Sequence, residues 1–175
     1  MDYNLLREAG VSRYGVISTG EIAFYPEIRE ICEGNACRQY GKTWACPPGV
    51  GTVEECRRRC MRFSSAIVFC GEYKIEDSFD FEGMARGHRE FKKLCDRLYD
   101  AVKGELRDFL LLSNEGCIRC EKCTYPSDLC RMPERLFPSV EGFGINVSEL
   151  AGRAGIPYKR DSGTVSYFGV LMCDL

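Results

Sequence analysis

The sequence predicts a single α/β domain over residues 1–175, a mixed sheet of four to six strands flanked by helices with two cysteine-rich loops in the connections. Three observations predict it. Apolar runs of strand length alternate with stretches whose apolar residues recur at steps of three and four, the helical period. At 175 residues and 45% hydrophobic content, the chain can bury one sizeable core. Seven of its twelve cysteines fall in two stretches that carry turn residues and no periodicity.

The elements follow in order. Residues 2–9 form a short helix that Gly10 ends, because glycine takes the left-handed conformation of a helix stop. Residues 15–24 have strand character through Val16, Ile17, Ile22 and Phe24, interrupted at Gly20. Thr52 begins a helix running to about residue 62, with Glu54 and Glu55 in the first turn where the helix dipole favours them. Residues 65–73 make the central strand, since Ala66, Ile67, Val68 and Phe69 form the continuous apolar run of a strand covered on both faces. Asp80 caps a long helix in which Met84, His88, Phe91, Cys95, Leu98 and Val102 share one face. Residues 109–112 form a short buried strand leading straight towards Cys117. Residues 139–144 and 148–154 read as helical pieces, and residues 158–172 as a hairpin turning at Asp161-Ser-Gly.

The chemistry concentrates in Cys117, Cys120, Cys123 and Cys130. Three thiols at intervals of three residues wind the backbone round a compact, many-atom object. A cubic iron–sulfur cluster asks for that spacing, whereas structural zinc sites usually take cysteines in separated pairs. The gap before Cys130 holds Tyr125-Pro126-Ser-Asp, turn residues that can fold Cys130 back onto the same centre.

The second group, Cys32, Cys37 and Cys46, lies in an irregular loop from Ile31 to Pro47-Pro48-Gly49. Irregular backbone leaves N–H groups free to point at thiolate sulfur. Cys46 is expected to belong with Cys32 and Cys37. The competing arrangement lets Cys46-Pro47 complete the C-terminal centre, as in two-cluster ferredoxins. Tyr40 and Trp44, beside the N-terminal ligands, are expected to shield that metal from water.

Other residues take plainer readings. Cys70, Cys95 and Cys173 sit in apolar segments and pack as small core residues. Cys56 and Cys60 share a helical face and read as free thiols, although either could serve as a fourth N-terminal ligand. His88, the only histidine, falls on the buried face of its helix; its functional alternative is proton delivery to a bound substrate. Asp77 and Asp80 read as caps, and Arg57, Arg58, Arg59 and Arg62 as a solvated helical face.

Read together, Cys37-Arg-Gln-Tyr-Gly-Lys-Thr-Trp-Ala-Cys-Pro-Pro, Asp77-Ser-Phe-Asp-Phe-Glu-Gly-Met and the Cys117 to Cys130 run with Thr124-Tyr125-Pro126 resemble the metal-binding family called domain of unknown function 2284. Arg131-Met-Pro-Glu-Arg, Pro138-Ser-Val-Glu and Ser166-Tyr-Phe-Gly are similar to that family too, so the resemblance spans nearly the whole chain. It implies a metal-binding protein and leaves the reaction undefined.

Composition excludes several function classes. No apolar stretch approaches the ~18 residues of a membrane span, and the first residues lack the pattern of a signal peptide. A net charge of -2 gives no electrostatic footprint for nucleic acid or an anionic membrane. The cysteines therefore point to a reducing cytoplasm and to metal or redox chemistry. Three functions are compatible. The first is a cytoplasmic iron–sulfur protein that passes electrons to a redox partner protein through one or two 4Fe-4S clusters. The second is a small enzyme whose three-cysteine cluster leaves an iron open as a Lewis acid for a small-molecule substrate, with His88 and Tyr40 as catalytic candidates. The third is a structural zinc protein.

Overall fold

A computed structural model describes residues 1–158 and 163–175. Helix α1 (Asn4–Ala9) leads into strand β1 (Arg13–Ser18). Helices α2 (Pro26–Glu33) and α3 (Val53–Cys60) bracket the first cysteine loop and precede strand β2 (Ser65–Lys74). The long helix α4 (Phe81–Val102) follows, then strand β3 (Leu110–Leu112), helix α5 (Val147–Arg153) and strand β4 (Thr164–Cys173). The four strands form one sheet in the order β1-β2-β4-β3, with every neighbouring pair antiparallel. Parallel pairing, expected from a mixed sheet, is confined to the isolated bridge between Ser113 and Ser139.

The alternation of side chains across β2 sets up two cores. Ile67 and Phe69 face α1 and α4, where they meet Leu6, Phe91, Leu94 and Leu98. Ala66, Val68 and Cys70 face the other way, into a core with Cys56, Phe143 and Leu150. Since both faces are covered, β2 carries no polar alternation, as its apolar run requires. On this second face α5 approaches β1 closely: a β-carbon at Gly15 would lie 1.9 Å from the Ala154 carbonyl oxygen.

The capping chemistry is as the sequence predicts. Gly10 ends α1 with φ 95°, and the Thr52 side chain accepts from the Glu55 N–H at the start of α3. Asp80 caps α4 by accepting from the Gly83 N–H at 2.7 Å, and Asp77 accepts from the Phe79 N–H at 2.7 Å.

Three expectations are corrected. The strand over 15–24 ends at Ser18, where Ser18 and Glu21 cap a single 3-10 turn (Thr19–Glu21). Part of the N-terminal cysteine stretch is helical, with Cys32 in the last turn of α2. That helix starts on Pro26 with Glu27 in its first turn, and Ile28, Ile31 and Cys32 share one face, although none of its residues is fully buried. The C-terminal hairpin is instead one ten-residue strand, β4, whose partner is the distant β2 with Thr164 opposite Lys74. The expected turn residues Asp161 and Ser162 lie outside the described residues. No helix among the described residues is long and apolar enough to cross a membrane.

Candidate metal centres

Strand β3 delivers the chain into residues 113–137, which contain no strand and only one 3-10 turn, Pro133–Arg135. Such a segment has few backbone partners of its own, so side chains from α4 must hold it. The buried Lys92 ammonium donates to the Gly116 carbonyl at 3.0 Å, to Ser113 Oγ at 3.3 Å and to the Asn114 carbonyl. One turn further along α4, Asp96 accepts from Arg119 and Arg135, while Asp100 accepts from Arg135 at 2.6 Å. The Arg119 guanidinium also stacks on Phe137 at 4.9 Å.

Held in this way, Cys117, Cys120, Cys123 and Cys130 line one cavity. Asp128 N–H donates to the Thr124 carbonyl and Thr124 Oγ1 to the Leu129 carbonyl, both within the turn that returns Cys130 to the others. The Tyr125 N–H donates to Cys123 Sγ at 3.5 Å. Trp44 closes this cavity: its Nε1 donates to the Asp128 carbonyl at 3.1 Å and its ring meets Tyr125 edge-on at 4.9 Å. Trp44 thus shields the C-terminal cysteines, a correction to the expectation drawn from its nearness to Cys46 in sequence. The space they line is narrow, about 20 Å³.

Cys32, Cys37 and Cys46 line a second, wider cavity of about 200 Å³ together with Tyr40, Ser139 and Glu141. They come from the end of α2, the turn after it and the segment before the cis Pro47-Pro48 bond. Tyr40 is oriented by its hydroxyl, 3.4 Å from a Glu33 carboxylate oxygen. Buried Cys46 accepts the Gly116 N–H at 3.2 Å, and its thiol lies 3.8 Å from Ser139 Oγ. Gly116 has φ 57°, and a β-carbon there would sit 2.7 Å from the Gln39 side-chain oxygen, so the position favours glycine.

Burial dominates the electrostatics. It pushes the Cys32 thiol up to about 11, with further upward pressure from the Glu141 carboxylate and then from Cys46 and Cys37. Burial also raises Cys46 against the hydrogen bonds from Ser139 and Gly116, and raises Cys117 against the Arg119 N–H and the charges of Arg119 and Lys92. Burial lowers Lys92, while nearby Cys95, Cys117 and Cys46 favour its charge.

The remaining cysteines are core residues. Cys60, Cys70, Cys95 and Cys173 are buried in the two cores, and Cys56 Sγ lies 3.5 Å from the Val50 carbonyl. All twelve cysteines are free thiols. His88 lines neither cysteine cavity: its Nε2 is 3.4 Å from the Glu115 carbonyl, and its ring meets Tyr167 edge-on. Burial, then the Lys92 charge, holds its pKa below the ordinary histidine value. Arg57 and Arg62 form exposed ion pairs with Glu54 and Asp108, while Arg59 stacks on Phe143.

Sequence reasoning missed Lys92, Gly116, Ser139 and Glu141. A lysine beside the apolar stripe of α4 and the Pro138-Ser-Val-Glu stretch that carries part of the resemblance were the available signals. Among the described residues, no three His, Cys, Asp or Glu side chains converge tightly enough to hold a single metal ion. The family described as Predicted metal-binding protein (DUF2284) matches residues 15–173. No curated protein and no solved structure matches the chain.

Proposed function

The chain belongs to that family of predicted metal-binding proteins, and from this premise we propose that it is an iron–sulfur protein whose two cysteine cavities hold 4Fe-4S clusters for single-electron transfer to a redox partner. The observation that carries the reading is that four cysteines at cluster spacing line one cavity. Cys117, Cys120, Cys123 and Cys130 would hold the C-terminal cluster, and Cys32, Cys37 and Cys46 the N-terminal one. The surroundings fit thiolate-bound clusters. Backbone N–H groups of Tyr125 and Gly116 donate to Cys123 and Cys46, Lys92 and Arg119 bring positive charge near Cys117, and Trp44 covers the C-terminal sulfurs. Each cluster, when bound, supplies one-electron redox chemistry at a potential set by hydrogen bonds and solvent access.

The wider N-terminal cavity supports a second reading, a small enzyme with an open metal position there. Tyr40 lines that cavity and is the candidate the reading retains, whereas His88 stops at the Glu115 carbonyl outside it.

Iron, zinc and acid-labile sulfide analysis of anaerobically purified protein tests the proposal. The expected product is brown and bleaches on reduction. Colourless protein with stoichiometric zinc after iron-replete expression overturns it and leaves the structural zinc role.

A further inference from the structure

The N-terminal cavity presents three thiols, one short of a complete ligand set for a cubic cluster. Cys56 and Cys60, the cysteines on neighbouring α3, are packed into the core instead. Glu141 lines the same cavity. Its Oε2 is sealed from solvent and has no hydrogen-bond partner among the described residues. A buried carboxylate oxygen without a donor is strongly disfavoured unless a cation or a donor joins it.

Lys92 does not fill that role. Its three N–H donors are spent on Ser113, Asn114 and Gly116. Glu115 also borders the cavity but is exposed, and Tyr40 is tied to Glu33. The backbone around Glu141 is pinned to both cysteine loops: Ser139 N–H donates to the Ala45 carbonyl at 2.9 Å, and Val140 N–H to the Ser113 carbonyl at 2.8 Å. These bonds hold the main chain of Glu141 beside the cavity; burial raises its pKa against the Lys92 charge, so the carboxyl is relieved there either by a proton or by a cation.

We propose that Glu141, through its carboxylate, is the fourth ligand of the N-terminal centre, beside Cys32, Cys37 and Cys46. The inference rests on the reading that those three cysteines hold a metal cluster. A carboxylate is a harder and more readily exchanged ligand for iron than a thiolate. The two centres then differ in kind: the C-terminal one is closed by four thiolates, and the N-terminal one has a replaceable position.

The test uses the full chain, expressed with iron and purified anaerobically, as wild type, Glu141→Gln, Glu141→Cys, Cys46→Ser and Cys130→Ser. Iron, acid-labile sulfide and electron paramagnetic resonance are measured on each. Glu141→Gln is expected to lose one iron per chain and to show a three-iron signal on oxidation, with the C-terminal cluster retained as evidence of folding. Glu141→Cys is expected to restore the four-iron form with an altered resonance. Full iron and an unchanged spectrum in Glu141→Gln, while Cys46→Ser loses the N-terminal cluster, overturns the ligand role of Glu141 alone. If Cys46→Ser also keeps all its iron, the N-terminal cluster itself is disproved and the ligand role falls with it.

Discussion

The backbone N–H of Gly116 points at the sulfur of Cys46, 3.2 Å away. Gly116 immediately precedes Cys117, so the first cysteine of the C-terminal group and the last of the N-terminal group are joined by one hydrogen bond and one residue of main chain. Lys92, which binds the Gly116 carbonyl, fixes this junction from the side of α4. The two candidate centres are thus built as a pair.

Replacing Gly116 with Ala should damage both centres at once. The substitution forces a β-carbon into a left-handed position and against Gln39, at a cost of roughly 1–3 kcal/mol. Denaturant unfolding of the metal-free protein should show the loss, and metal analysis should show depletion at both sites.

Cysteine substitutions should divide cleanly by location. Cys60→Ala, deep in the core, is expected to lower stability by about 1 kcal/mol and leave metal content unchanged. Cys120→Ser should abolish C-terminal metal. Parallel metal analysis of the two variants checks this.

The metal-free protein should lose stability in alkali. Burial raises Cys70 and Cys95 to about 11 and Cys60 to about 12, against an ordinary 9.0. A thiol whose folded pKa lies above its unfolded value stabilises the fold fully below the unfolded pKa, and that contribution fades as pH rises through the folded one. Thermal unfolding midpoints should therefore hold steady up to about pH 9 and fall between about 9 and 12. Cys60→Ala and Cys95→Ala should each shallow the decline.

Metal loading should reshape the C-terminal loop. The cavity its four cysteines line together with Trp44 is only about 20 Å³, so hydrogen exchange over residues 117–130 should change markedly on cluster reconstitution. The long strand β2, in the core, should keep its exchange rate.

Much of the frame was legible because its signals are local. The apolar run of β2 and the caps Thr52 and Asp80 need only neighbouring residues to be read. Helix α2 escaped because it is only eight residues long and its apolar face, Ile28, Ile31 and Cys32, spans barely one turn. Strand β4 was misjudged as half of a local hairpin because its partner lies ninety residues earlier, with Thr164 opposite Lys74. The two cysteine groups were visible from spacing, and each proves to share a cavity. Their supporting residues were not visible: Glu141 reaches its cavity and Lys92 the carbonyls of Asn114 and Gly116 only through tertiary packing, and Trp44 crosses from one cysteine loop to cover the other.

That crossing has a practical meaning. Trp44 is the only tryptophan in the chain, it lies two residues before Cys46, and its indole N–H bonds to the carbonyl of Asp128 in the C-terminal loop. The protein therefore carries a single built-in fluorophore at the seam of its two cysteine loops. Its emission should dim and shift as the C-terminal cavity fills, giving a label-free optical titration of occupancy.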